Sequence, residues 1–540
     1  MRSKTTSSIS ACPPLLMSER VGPELFRSVL FDGPVPDTNE SKAPETFGDL
    51  NLDQVVEAVT AGRDEYDLKP FFYVPLLHVE TVNYRQEVFR DLEDQVLAGF
   101  IQSFAQDMRK MRTHLDQADK LYYRRQKQSW FLDAVEVYCG AVSQLNRNLL
   151  HAQIGSAGLR AFRAYLAAYV ESSEFRALVA ETQKLKTGLA GIRYSLYIAG
   201  RRITVSKYGS EPDYSKEVLQ TFQKFNQGAA KAYRFEYRST PDMNHVEAAI
   251  LDLVAEQFPE IFSSLEKYCT QHSGYLNNTI ARFDREGQFY FAWLEHTHRL
   301  KQTGLPFCYP DVTGRSKEVH GRGVFDLALA TKLSREKSPV VLNDFHLHDP
   351  ERIFVVSGPN QGGKTTFART FGQLHYLASI GCPVPGTEAR LFLCDKLFTH
   401  FEKEEDIRNL SGKLEDELRR IHQILECATP KSILIMNESF LSTTLNDALF
   451  LSKEIMRRIV ELNMLCVSVT FLDEQASFSE TVVSMVSTVN PEDVALRTFK
   501  LVRKQADGLA YAAAIAEKYQ LTHDAVRERI AGNVERSVTP

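Results

Sequence analysis

The stretch Gly358-Pro359-Asn360-Gln361-Gly362-Gly363-Lys364-Thr365 constrains this chain more than any other. It fits GxxxxGK[ST] and follows directly on Ile353-Phe354-Val355-Val356, an apolar run that reads as a fully buried strand. Glycines let the backbone curl until successive N–H groups point into one concavity. The helix that must follow, with Thr366 in its first turn, adds unpaired N–H groups and the positive end of its dipole. Lys364 is then placed to reach the β- and γ-phosphates of ATP, and the Thr365 hydroxyl to ligate Mg2+. At this glycine content about 0.01 chance matches are expected in the whole chain, which sets aside a fortuitous glycine-rich turn.

A phosphate loop needs a second element that places magnesium and water, usually an acid ending a buried strand. Ile433-Leu434-Ile435-Met436 is such a strand, and it ends in Asn437-Glu438. Glu438 is positioned to orient or deprotonate an attacking water; the bland alternative is an ordinary strand-end acid. Asn437 stands where an aspartate usually holds magnesium through its water shell. An amide accepts that hydrogen bond without bringing charge, so Mg2+ affinity is expected to fall. Leu465-Cys466-Val467-Ser468-Val469 is a third buried run, and helical segments lie between the three. From about Val324 the texture is therefore that of an α/β domain.

Upstream the character is helical. No proline occurs from Leu76 to Glu211, and Ile101, Phe104, Met108, Met111, Leu115, Ala118 and Tyr122 repeat at steps of three and four, the apolar seam of a long helix. Leu159, Phe162, Leu166 and Tyr169 continue the pattern, which resumes over His245 to Tyr268 and Phe289 to Leu300. Between them Ile192, Tyr194, Leu196 and Ile198 alternate, Ala199-Gly200-Arg201-Arg202 can turn, and Ile203 and Val205 alternate again, predicting a β-hairpin. The first 47 residues, rich in proline, are expected to form an irregular, loosely packed arm. The expected organisation is thus multidomain: an arm over 1–47, a helical region over 48–325 and an α/β P-loop domain over 326–540.

Composition narrows the function classes. No run of 18 apolar residues predicts a membrane span, and Met1 to Met17, broken by Pro13 and Pro14, make a poor secretory signal. Eight cysteines without a CxxC pair fit reduced cytoplasmic thiols. A net charge of −5 does not advertise a nucleic-acid binder, so DNA would need a local basic face. Arg124, Arg125 and Lys127, with Arg109, Lys110, Arg112 and interleaved Tyr122, Tyr123 and Trp130, are candidates, as are Arg201 and Arg202 at the hairpin turn; a solvated helix surface explains such runs as well. His296 and His298 fall on different faces of a helix, and His346 and His348 lack a further ligand, so metal binding at either pair is not expected.

Taken in order, Gly358 to Thr366, Ile380-Gly381-Cys382-Pro383-Val384-Pro385, Glu405-Asp406, Ser411-Gly412 with Glu417, Asn437-Glu438, Thr443 with Asp447, and Gly508-Leu509-Ala510 with Ala513-Ala514 resemble the ATPase domain of the MutS family of DNA mismatch-repair ATPases. The resemblance is close over Asp326 to Ile530 and looser over 48–325, which would be the family's core and lever arms. It implies an ABC-type ATPase domain after a mainly helical core and lever domain, with ATP and Mg2+ as cofactors. It also implies a homodimer in which Ser411 and Gly412 meet the partner's nucleotide in trans, with C-terminal dimerisation helices, and DNA as the target, mismatched, branched or non-specific. Three departures stand out. Asn437 replaces an aspartate, Phe471 replaces a histidine that senses the γ-phosphate, and the first 47 residues are too few for the family's mismatch-reading domain. The expectation is an ATP-gated, DNA-associated cytoplasmic dimer serving repair or recombination, with slow hydrolysis. An ATP-binding clamp with negligible turnover, and an ATPase acting on a protein partner, remain open at this stage.

Overall fold

The computed structural model describes residues 26–36, 42–209, 217–218, 220–221, 243–402, 412–440, 442–490, 497–505, 523 and 526–527. Its contacts divide the chain into two compact units, one drawn from Met1–Arg27, Gln106–Ala152 and Arg160–Tyr275, the other from Ser28–Ala105, Gln153–Leu159 and Leu276–Pro540. Among the described residues no helix is long and apolar enough to cross a membrane.

The first unit is helical with one hairpin. The helix Arg124–His151 buries Leu132, Val135, Tyr138, Val142, Leu145 and Leu149, spaced by three and four, and packs on the helices Ser173–Ala190 and Pro259–Gln271. The periodic run from His245 to Tyr268 is two helices rather than one. His245–Gln257 opens on a capping box between Asn244 and Glu247, and Pro259 starts the next helix because a proline at the first position forfeits no hydrogen bond. The seam helix spans Gln95–Lys120, of which the part from Gln106 belongs to this unit and buries Met108, Met111 and Ala118, while Ile101 and Phe104 are buried in the part that belongs to the second. Tyr122 does not belong to it: the helix has ended, and the side chain is 88% exposed. The hairpin pairs Tyr194–Ala199 with Arg202–Lys207 about Gly200, whose φ of 58° is the left-handed turn geometry. The alternation predicts the strands but buries little; Val205 packs on Val254, Ala255 and Phe262, while Tyr197 and Ile198 are exposed.

The second unit is built on a six-stranded sheet in the order Leu397–Phe401, Ile433–Asn437, Leu465–Val469, Ile353–Ser357, Val482–Val489, Arg497–Arg503. All neighbours are parallel except the last pair. The three apolar runs read from the sequence are its central strands and are buried throughout, as a sheet covered on both faces requires. A smaller sheet carries Asp311–Thr313, Glu388–Phe392, Val319–Val324 and Asn343–Leu347.

The helix Lys364–Ser379 is buried along nearly its whole length. At Gly372 it is wedged so closely that a Cβ there would stand 2.5 Å from Ile435 Cδ1 of the sheet and 2.7 Å from Leu50 Cδ2 of the early helix Thr46–Leu50. The helix is also clasped by residues some three hundred positions earlier. Arg369 Nε donates to Asp49 O (2.9 Å), Gln373 Nε2 to Leu50 O (2.8 Å) and Tyr376 OH to Phe72 O (2.9 Å), while Leu76 N–H donates to Ser379 O (2.8 Å). Phe47 meets the Tyr376 ring edge-on at 5.0 Å. Residues 26–36 form no helix or strand, but they are packed. Val29, Leu30 and Phe31 are buried, the Glu286 carboxylate accepts Ser28 Oγ and Val29 N–H at 2.8 Å each, and buried Arg85 donates to Leu30 O (2.8 Å) and Ile380 O (3.0 Å). A short apolar segment with satisfied backbone groups packs as well as a helix does.

Candidate functional site

The strand Ile353–Ser357 points its carboxyl end at the loop 358–363, at the edge where open α/β sheets hold ligands. Gly358 (φ 117°) and Gly363 (φ 92°) take backbone geometries that a side chain resists, and Gly363 caps the helix Lys364–Ser379. Gly362 is required by space: a Cβ there would fall 2.3 Å from Ser487 Oγ and 2.9 Å from Pro359 O. Ser487, on the neighbouring strand Val482–Val489, donates to Gly362 O at 2.5 Å and so pins the loop from beneath. Nothing in the sequence near residue 487 announces that role; it depends on two strands being neighbours.

Lys364 is buried within the loop. Its Nζ donates to Gly358 O (2.9 Å), Pro359 O (3.4 Å) and Asn360 Oδ1 (3.3 Å) and lies 4.0 Å from Glu438 Oε1. Burial pushes its pKa below the ordinary lysine value; the Glu438 carboxylate opposes this, Arg497 adds to it, and Asp473 opposes it again. Arg497 Nε also donates to Asn360 O at 3.2 Å, so a second cation stands at the loop. The Gly362 N–H is bound to Pro359 O within the turn, and helical bonding begins with Phe367 N–H to Gly363 O, which leaves the N–H groups of Lys364, Thr365 and Thr366 outside the helical ladder.

Thr365 and the strand end meet directly: Thr365 Oγ1 donates to Asn437 Oδ1 at 2.8 Å. Glu438 follows in a left-handed conformation (φ 52°), its N–H bound to Val469 O of the adjacent strand at 2.9 Å. Loop, Lys364, Thr365, Asn437 and Glu438 are thus brought together, with Arg497 and Ser487 as additions the sequence did not mark. The donor set bears on magnesium. Because the Thr365 hydroxyl spends its proton on Asn437, its lone pairs remain for a cation, and the amide holds it in place. The fit is geometrically sound and short of one negative charge.

The remaining candidates are scattered. Gly412 is the N-terminal cap residue of the helix Lys413–Cys427, whereas Ser411, Glu405, Asp406 and the segment Gly508 to Ala514 lie outside the described residues. Thr443 and Thr444 both donate to Asp447 Oδ2, and Thr444 caps the helix Leu445–Leu462. Phe471 is half exposed. In the other unit two of the basic candidates are paired: Arg124 with Glu266, and Arg125 with Asp252 at 2.9 Å while lying over the Phe262 ring. Arg201 and Arg202 are exposed at the hairpin turn. His346 and His348 share a face with rings 5.1 Å apart, and among the described residues no group of three His, Cys, Asp or Glu is placed to hold a metal.

Residues 354–532 match the family model of MutS domain V. The chain is 30% identical over 129 residues to the DNA mismatch repair protein MSH3 of Kluyveromyces lactis, which covers 24% of this chain and 12% of that protein. It is 25% identical over 227 residues to the DNA mismatch repair protein MutS of Rickettsia bellii, 41% of this chain and 24% of that one. It is also 32% identical over 127 residues to the DNA mismatch repair protein MutS 2 of Halobacterium salinarum, 24% of this chain and 15% of the relative. The chain therefore spans at most about a quarter of the length of these relatives.

Proposed function

The chain belongs to the MutS family through the domain it carries over residues 354–532, and on that premise we propose that it is an ATP-gated, DNA-binding dimer serving DNA repair or recombination. In this reading residues 326–540 are the ATPase domain and residues 48–325 the core and lever region that turns closure into movement. Closure follows ATP only if the closed dimer binds nucleotide better than the open one.

The observation that carries the reading is the buried Lys364 ammonium, ringed by carbonyl oxygens of a loop that a side chain at Gly362 would block. A triphosphate offers that ammonium better acceptors than neutral carbonyls. Lys364 then trades its loop contacts for phosphate oxygens, and the N–H groups of Lys364, Thr365 and Thr366 meet the remaining charge at the helix start. Glu438, freed from Lys364, accepts a proton from the attacking water. Thr365 and, through water, Asn437 would hold magnesium, which when bound supplies neutralisation of the phosphate charge. Ser411 and Gly412 are assigned to the partner's nucleotide. Lys364→Ala tests the site: the variant should lose binding of a fluorescent ATP analogue while keeping its melting temperature, and normal binding would show the site to be misassigned.

A second reading has its own support. Asn437 supplies no charge at the strand end and Phe471 supplies no imidazole, which favours an ATP-held clamp with negligible turnover. The pairing of Arg124 and Arg125 with Glu266 and Asp252 favours a protein target over DNA at that face. Phosphate release measured with and without linear and branched DNA separates the DNA-dependent ATPase from the clamp, which releases none, and from an ATPase on a protein target, which DNA does not stimulate.

A further inference from the structure

The helix Lys413–Cys427 packs Leu414, Leu418, Ile421, Ile424 and Leu425 towards the sheet. Among them sits a charge. Glu417 is 2% exposed, and its Oε2 accepts the backbone N–H of Phe440 at 3.2 Å. Burial pushes its carboxyl pKa up; the Phe440 N–H and the cations of Lys413 and Arg420 pull it back. A buried carboxylate aimed at one backbone amide in another segment calls for a reason.

That amide ends the turn that carries Glu438. Glu438 and Phe440 both take left-handed backbone conformations, at φ 52° and 64°, which non-glycine residues adopt only where the surroundings impose them. At the near end the Glu438 N–H is held by Val469 O. At the far end Phe440 is buried in the apolar cluster that also holds Ile421, Leu434 and Met436, and its N–H is held by Glu417. The Ser439 hydroxyl between them is buried and finds no hydrogen-bond partner among the described residues. The helix is also tied to the edge strand, where Arg420 donates to Phe401 O at 3.2 Å, but among the described residues the Glu417 bond is the hydrogen bond that joins it to the 438–440 turn.

We propose that Glu417 is a positioning residue for Glu438: it fixes the 438–440 turn that sets the Glu438 carboxylate opposite Lys364, so that the helix Lys413–Cys427 and the nucleotide pocket change state together. The proposal rests on the nucleotide site argued above and adds its control. A helix shift of about an ångström strips the Phe440 amide of its acceptor, relaxes the strained turn and takes Glu438 out of line.

The test uses the full chain with Glu417→Ala and Glu417→Gln, the glutamine keeping volume and an acceptor oxygen. Glu417→Ala should lower kcat for ATP by about a hundredfold with KM within about twofold of wild type. Glu417→Gln should restore most of kcat. Hydrogen exchange of the peptide containing Phe440 should quicken about tenfold in Glu417→Ala alone. ATP should alter that exchange in the wild type and not in Glu417→Ala, a readout that holds even where turnover is too slow to measure. A fall in kcat matched by equal losses in ATP affinity and melting temperature, with no rescue by glutamine, would mark Glu417 as merely structural and overturn the proposal. So would wild-type exchange indifferent to ATP while ATP binds normally. Failure of the wild type to bind ATP at all would instead bring down the nucleotide site itself, and this proposal with it.

Discussion

Replacing Asn437 by aspartate asks what one charge is worth at the end of the central strand. The amide oxygen accepts Thr365 Oγ1 at 2.8 Å, so a carboxylate in the same place keeps the bond and adds a unit of negative charge. A neutral hydrogen bond contributes about 0.5–1.5 kcal/mol and one to an ionised group about 1.5–3 kcal/mol. The difference of about 1–1.5 kcal/mol sets the lower bound on tighter magnesium binding, roughly five- to tenfold. Direct attraction between the carboxylate and a dication about 5 Å away, at an effective dielectric of about 20, is near 7 kcal/mol, an upper bound. Desolvation of the new charge and repulsion from Glu438, its chain neighbour, consume most of that. The smaller figure governs. Titrating magnesium against binding of a fluorescent ATP analogue should therefore show half-saturation shifted down by about five- to tenfold, with faster phosphate release. Without metal the same variant should melt below wild type, because two carboxylates then adjoin; with metal and ATP the order should reverse. A half-saturation unchanged within about twofold, with unchanged turnover, would refute the assignment of Asn437 to the metal's shell.

Three further outcomes are expected. Gly362→Ala should abolish nucleotide binding, and adding Ser487→Ala should not rescue it, because Pro359 O still stands 2.9 Å from the new methyl group; a rescued double variant would contradict the packing. Gly372→Ala should destabilise by about 1–3 kcal/mol despite the better helix propensity of alanine, read as a lower denaturant midpoint, since the methyl group meets Ile435 and Leu50. Glu286 bears on pH: burial raises its carboxyl to about 7 against Ser28 Oγ and Val29 N–H, which lower it. A raised folded-state value means that stability is full below the ordinary carboxylate range and is lost as pH climbs through about 7, about 3 kcal/mol in all. Glu286→Gln removes that slope, so its melting temperature relative to wild type should rise between pH 5.5 and 8; a constant difference would show that Glu286 does not titrate there.

What could be read from the chain was local. The P-loop, the buried strands and Asn437-Glu438 are each encoded within a few residues, and the strand Ile433–Asn437 ends where its composition said. The seam failed at Tyr122 because a period of three and four runs on in sequence after the helix has ended at Lys120. Glu417 was marked in the sequence as part of the segment that follows Ser411-Gly412, but its contact was not legible; its partner amide is 23 residues away and carries no side-chain signal. Arg124 and Arg125 looked like a free basic face because Glu266 and Asp252 are more than a hundred positions distant. The same limit hid the clasp on the helix Lys364–Ser379, whose bonds end on the backbone oxygens of Asp49, Leu50 and Phe72.

That clasp has an evolutionary corollary. An α/β domain whose first long helix is gripped by the backbone of residues 49–72 is not a portable cassette. Cut free at residue 326, it would bare the faces that Phe47, Leu50 and Phe72 now cover and leave Arg369, Gln373 and Tyr376 without their acceptors. Recombining such a domain into another protein therefore requires carrying the clip over residues 47–76 along with it, or a substitute for it.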